Sequence, residues 1–147
     1  MKAYKKCTVT LKSIDAAAEN IEEKIIETTA DGKFNFFNDG SFHIKYIEID
    51  KTDLSFTENN IRCNARNVIE ISRKGEISSH MIIDIENQTA VNIKTIYGEF
   101  GFNVTAKEIK NNMTPQGGEL IVRYNLDIDS KVISENEVRL NVKLIGD

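Results

Sequence analysis

The chain of 147 residues contains no tryptophan, one proline and two cysteines, and no apolar run in it approaches the roughly 20 residues that a membrane-spanning helix requires. It also lacks a surplus of basic charge. At a formal net charge of −4, it shows none of the excess that neutralises phosphates and releases counterions in a duplex binder, so no nucleic-acid partner is expected. Behind Met1-Lys2-Ala3-Tyr4-Lys5-Lys6 there is no apolar core of a signal peptide, and export is not expected. Cys7 and Cys63 both fall on the apolar phase of their segments, which favours free thiols acting as small hydrophobes in a reducing cytoplasm over a bridge. The scarcity of proline and tryptophan beside abundant Ile, Asn and Lys is compatible with an AT-rich bacterial genome.

Apolar residues make up 40% of the chain and charged residues 29%, so composition demands neither disorder nor a membrane. A chain of this length forms one domain, here residues 1–147, that buries about two-thirds of its unfolded surface without metals or disulfides.

A sustained stripe of helical spacing is absent, whereas period-two alternation recurs in segment after segment. Cys7, Val9 and Leu11 share one face; so do Phe42, Ile44, Tyr46 and Glu48; Ile61, Cys63 and Ala65; Ile69, Ile71 and Arg73; Ile77, Ser79, Met81, Ile83 and Ile85; and Phe100, Phe102, Val104 and Ala106. Two long strands follow, with Leu120, Val122, Tyr124, Leu126 and Ile128 on one apolar face and Val138, Leu140, Val142 and Leu144 on the other. Ala16 to Asn20 reads as a loop tip, Asp31-Gly32 as a turn between Ile21–Ala30 and a short strand Phe34–Phe37, and Asn38-Asp39-Gly40 as another turn. Lys110 to Gly118, with the one proline and a Gly-Gly pair, reads as a loop. About eight to eleven strands joined in chain order, with no crossover helices, predict an antiparallel meander. A barrel is favoured over a sandwich because closure removes exposed edges.

Several short motifs resemble the YwiB-like family of small Gram-positive bacterial proteins. They are Tyr46-Ile47-Glu48, Ile71-Ser72-Arg73-Lys74-Gly75 followed by Met81, Thr95-Ile96-Tyr97-Gly98, and Gly117-Gly118-Glu119-Leu120 with Tyr124 after it. The resemblance runs from about the first strand to the last and rests on the order and spacing of these motifs. It implies a lipocalin-like, calycin-type barrel and no established activity, the family being a domain of unknown function. The sequence departs from the pattern at Ile96, where proline is more usual.

Glu48, Arg73 and Tyr97 occupy the apolar phase near strand ends, where charges rarely face inward unless paired. If the strands bring them together, the guanidinium can donate to the Glu48 carboxylate while Tyr46, Tyr97 or Tyr124 satisfies the remaining acceptors. These five are the candidate ligand contacts, read as a polar anchor in an apolar pocket; the alternative is a structural ion pair or solvated strand ends. His43 and His80 sit on the polar phase without metal-ligand spacing, so solvated histidines and no metal or other cofactor are expected. No G-x-S-x-G elbow or comparable context supports a catalytic nucleophile, and no catalytic residue is assigned. Gly98 and Gly101 precede no helix and are no phosphate cradle. Phe34, Phe36, Phe37, Phe100 and Phe102 read as core before base-stacking residues.

Three functions follow as expectations. The first is a cytoplasmic barrel that binds a small, largely apolar ligand. The second is an interaction or assembly module with a filled barrel, motivated by outward Ile47, Ile82, Ile96 and Ile121 and compatible with a homodimer. The third, an enzyme built on Glu48, Arg73 and the tyrosines, is less favoured than a non-enzyme.

Overall fold

The computed structural model describes residues 4–17 and 23–146, and among them every regular element is a strand. In chain order these are β1 (Lys5–Ala17), β2 (Glu23–Phe36), β3 (Phe42–Ile49), β4 (Phe56–Cys63), β5 (Ile69–Lys74), β6 (Ser78–Ile83), β7 (Thr89–Thr95), β8 (Gly98–Thr114), β9 (Gly117–Ile128) and β10 (Lys131–Leu144). Each strand pairs antiparallel with its neighbours in sequence, and β1 also pairs with β10. The ten strands therefore form a closed up-and-down barrel, in agreement with the alternation. Closure gives every strand a partner on both sides, although β2 meets β3 only from Gly32 to Phe36 and its residues 23–31 are paired to β1 alone.

Up-and-down order makes the two ends of the barrel different. The β1–β2, β3–β4, β5–β6, β7–β8 and β9–β10 connections gather at one end, here called the hairpin end. The other four connections and both chain ends lie opposite, at the terminal end.

Two local readings of the sequence are corrected. Asp31-Gly32 is no turn, because β2 runs unbroken through it. A Cβ on Gly32 would stand 2.7 Å from the Lys45 carbonyl oxygen and 2.9 Å from Val9 Cγ2, so the glycine serves close approach of strands rather than a change of direction. Lys110 to Gly118 is no loop either. β8 continues to Thr114, and only Pro115 and Gln116 separate it from β9. A bulge between Ala106 and Glu108 adds Lys107 to β8 and reverses its phase. Phe102, Val104 and Ala106 face inward before it; Ile109, Asn111 and Met113 do so after it. Of the Ala16–Asn20 loop tip, Ala16 and Ala17 belong to β1, and the rest lies outside the described residues.

The core sits toward the terminal end. Cys7, Val9, Phe34, Phe42, Ile44, Ile61, Cys63, Ile69, Ile83, Val122 and Leu140 are fully buried there or at mid-height. Asn111, crossing from β8, donates to Asn67 Oδ1 in the β4–β5 turn at 2.8 Å and lies 3.7 Å from Cys63 Sγ. One row of the outer face is wholly polar: Lys6, Lys33, Lys45, Asn60, Ser72, His80 and Asn92 follow one another across β1 to β7.

Candidate functional site

Toward the hairpin end the inner face changes character. Leu11, Ala30, Ile71, Ile93, Phe102, Ala106, Leu126 and Val138 point inward by strand phase, yet they are only partly buried. Pairing is one-sided at some of them: β2 meets β3 only from Gly32 to Phe36, which leaves Ala30 paired to β1 alone, and in β8 Phe102 pairs to β7 alone and Ala106 to β9 alone. The inner face toward the five hairpins, above the close-packed core, is here called the cup.

One wall of the cup is polar. Strand register places Tyr46 of β3, Asn59 of β4, Arg73 of β5 and Ser79 of β6 in one row, all on the inner phase. Glu48, one inward step above Tyr46, accepts at a single oxygen, Oε1, from Asn59 Nδ2 at 3.0 Å and from Arg73 Nη2 at 3.3 Å. Asn59 is buried, whereas the side chains of Arg73 and Glu48 retain 48% and 28% of their exposure. The ion pair that the sequence left open is formed, at the wet edge of the cup and in monodentate geometry. Its buried support, Asn59, went unnoticed in the sequence, although it shares its phase with Ile61 and Cys63.

The tyrosines divide. Tyr46 and Tyr124 are 5% and 9% exposed, and burial, reinforced by the carboxylates of Glu48 and Asp15 respectively, pushes each phenol up to about 12. Both are neutral donors at any physiological pH. Tyr97 departs from the expected inward phase: it sits in the turn between β7 and β8 and is 87% exposed. The strand ends at Thr95, whose hydroxyl accepts from the Tyr97 N–H at 3.0 Å, so alternation no longer governs that side chain.

Neither buried phenol makes a hydrogen bond to any other described residue. Among the described residues, no side-chain nitrogen or oxygen that is wholly shut off from solvent lacks a partner. Tyr46 lines a concavity with Lys6, Gly32, Lys45 and Ile47, and Tyr124 lines another with Ile14, Arg123 and Glu137.

The histidines differ from each other. His80 is exposed and lies 2.7 Å from Glu70 Oε2. His43, expected in solvent, is buried on the outer face, where burial holds its pKa below the ordinary value. Asn60 donates through Nδ2 to Glu58, which turns its Oδ1 toward His43 Nε2 at 2.9 Å. Nε2 thus carries the proton, and Nδ1 accepts from the Tyr4 hydroxyl at 2.7 Å. Among the described residues, no group of three His, Cys, Asp or Glu side chains could hold a metal ion. Both cysteines are free and buried, and burial pushes each thiol up to about 11. Ile47, Ile82, Ile96 and Ile121 form no single patch, lying on β3, β6, the β7–β8 turn and β9.

Three concavities of about 580, 550 and 390 Å³ are lined mainly by outward-facing or strand-end side chains. None of them holds the Glu48–Arg73 pair.

The family model described as "Domain of unknown function (DUF1934)" matches residues 9–140. The chain belongs to the DUF1934 family. That match spans both walls of the cup, from Val9 of β1 to Leu140 of β10. The solved structure described as the ywiB protein from Bacillus subtilis is similar to this DUF1934 chain with a TM-score of 0.80 at 14% identity, over 99% of this chain and 96% of the other. At that identity the likeness is one of fold. No curated protein matches the chain. Among the described residues, no helix is long and apolar enough to cross a membrane.

Proposed function

We propose that this protein is a binding barrel of calycin type that takes a small, largely apolar molecule into the cup at its hairpin end. The observation that carries the reading is the group of partly exposed inward side chains, Ile71, Ile93, Phe102, Leu126 and Val138, above a core that is mostly sealed, with Phe36 and Leu144 at the terminal end also partly buried. A barrel filled by its own side chains has no reason to leave inward apolar groups in contact with water. Covering them returns about 25 cal/mol for each Å² removed from solvent. A mostly apolar concavity with a few convergent polar groups is also what small-molecule sites look like. Tyr46, Glu48, Arg73 and Tyr124 are the proposed inner contacts, with Tyr97 at the mouth.

A cytoplasmic setting is part of the proposal. The free, buried thiols suit a reducing compartment, and the polar row around the outer face is the opposite of the apolar band of a membrane barrel.

The neutral fluorophore N-phenyl-1-naphthylamine tests the reading. Saturable one-to-one binding is expected. It should be lost in Ile93→Glu, which places a charge on the inner wall, and in Ala106→Trp, which fills the cup, with the unfolding midpoint of at least one variant close to that of the parent. Absence of saturable binding, or unchanged binding in folded variants, refutes the proposal.

A second reading is favoured by one observation. Ile49, Leu54, Phe56, Ile77, Ile96 and Tyr97 are all exposed apolar side chains at the hairpin end. Such a rim suits docking of another protein, including a second copy of the chain. A concentration-independent monomer in sedimentation would remove the second copy from consideration.

A further inference from the structure

One stretch of β2 has no strand beside it. β2 pairs with β1 in unbroken register from Glu23 to Phe34, but with β3 only from Gly32 to Phe36. Continued past Gly32, the register with β3 would set Ile49, the last residue of that strand, level with Thr29. Residues 24–28 therefore rise beyond the end of β3, at the hairpin end, with one edge open. Ile25 and Ile26, on opposite faces of this stretch, are both exposed.

Alternate residues of a strand present N–H and C=O to the same side, so an open edge is a row of donors and acceptors at fixed spacing. Another extended chain matches that row. Edges are commonly blunted by proline, by a bulge or by a charge in mid-edge. Residues 24–28 contain no proline, their pairing with β1 shows no shift of register, and the two charges, Lys24 and Glu27, leave Ile25 and Ile26 between them.

The edge is also complementary to itself. When two copies join open edges about a two-fold axis, the strands run antiparallel, one sheet continues into the other, and residues opposite each other point to the same face. Opposed residues are then an even number of positions apart, so the axis passes through one residue. An axis at Glu27 would set that carboxylate against its own copy, and one at Ile25 would set Glu23 against Glu27; like charges directly opposite are destabilising. An axis at Thr28 would bring Lys24 of the second copy opposite Gly32, where Tyr46 of β3 already pairs. At Ile26 neither difficulty arises: each Ile26 meets the other, Ile25 meets Glu27, and Lys24 meets Thr28.

We infer, on the second-copy reading given above and independently of the cup, that two copies of this chain join edge to edge through β2, antiparallel, with the two-fold axis at Ile26. A continuous sheet then runs from one barrel into the other.

Sedimentation velocity and native-state hydrogen exchange on the full chain test this. The parent should form a concentration-dependent dimer in which amide exchange within residues 24–28 slows by about fivefold or more, as gain of a hydrogen bond does. Ile26→Lys and Ile26→Glu each set like charges against each other across the axis, and each should weaken the dimer by about tenfold. Mixed in equal amounts, the two variants should associate to within about threefold of the parent, because only an axis at residue 26 opposes that residue to itself. Ile26 is exposed, so both variants should melt close to the parent; if neither folds, exchange in the parent decides alone. A monomer up to about 1 mM overturns the inference together with the second-copy reading, and leaves the edge to an extended strand of another protein. A dimer with unprotected β2 amides, a dimer indifferent to both charges, or a mixture no tighter than the single variants overturns the β2 edge alone and leaves the second copy to the exposed rim.

Discussion

Removing the Arg73 guanidinium while keeping its stem, as in Arg73→Met, should cost less stability than removing the neighbouring Asn59 amide, as in Asn59→Leu. Both side chains donate to the same atom, Glu48 Oε1. Formal charge alone would rank arginine first. Arg73, however, offers one contact at 3.3 Å and keeps about half of its side-chain exposure, which places the pair among solvent-screened ion pairs worth about 0.2–1 kcal/mol. In Arg73→Met, Glu48 keeps its bond from Asn59 and has water at its second oxygen. Asn59 is 2% exposed and also donates to the Thr57 carbonyl oxygen at 3.3 Å. Its replacement takes a buried donor from both acceptors, at about 1–3 kcal/mol. For a chain of this size each kcal/mol lowers the melting temperature by about 2–4 °C. Urea unfolding followed by circular dichroism gives both values, and the double variant should be non-additive because the two donors share an oxygen. A loss above about 2 kcal/mol in Arg73→Met, or one larger than in Asn59→Leu, would show that the pair is a structural brace and refute the ranking.

Gly32→Val should destabilise the barrel by about 1–3 kcal/mol, the usual cost of overpacking, because its Cβ would press on the Lys45 carbonyl oxygen and on Val9; a neutral effect in urea unfolding would contradict the close approach of β1, β2 and β3. His43 has a folded-state pKa below the ordinary 6.5, so the unfolded chain binds the extra proton more readily, and the stability that His43 contributes is complete above 6.5 and declines as pH falls through 6.5 toward the lower folded value. The pH dependence of unfolding between about 5 and 7.5 should flatten in His43→Gln, and an unchanged slope would remove His43 as its source. Cys7 and Cys63 should resist iodoacetamide in the native state and react once unfolded, because both are buried and their thiols lie at about 11; rapid native labelling would argue against a closed terminal end.

The strand count, the up-and-down order and most of the inner face were legible because alternation is a local signal, repeated in β3, β5, β6, β9 and β10. It failed where a non-local event intervened. The bulge at Lys107 reverses the phase of β8, so Asn111 and Met113 looked like loop residues beside Pro115. Gly32 looked like a turn because a glycine demanded by a neighbouring strand and one demanded by a positive φ are the same letter. The site was legible in part for the same reason. Glu48, Arg73, Tyr46 and Tyr124 stand within strands, where phase predicts direction, and Tyr97 stands just past one, where it does not. His43 obeyed its outward phase and is buried all the same, because Tyr4 lies against it and alternation says nothing about what covers an outer face.

The division of the barrel into a packed end and an open one also explains why the polar wall can exist. A carboxylate and a guanidinium set among Phe42, Ile69 and Ile83 would each need several kcal/mol of compensation for lost hydration. Glu48 and Arg73 escape that cost by standing above the core, where water still reaches both. Stability is then supplied by rows nearer the chain ends, in which side chains such as Phe34, Phe42, Ile69 and Leu140 are sealed from solvent, and the hairpin end is free to carry groups chosen for what they contact. Tyr46 and Tyr124 sit at the boundary of these two regions. Their rings belong to the core, and each residue also lines an outer concavity. A change that removes the hydroxyl and keeps the ring, as in Tyr46→Phe or Tyr124→Phe, should therefore cost no more than about 1 kcal/mol in urea unfolding, and a larger loss would show that the hydroxyl itself belongs to the packed end.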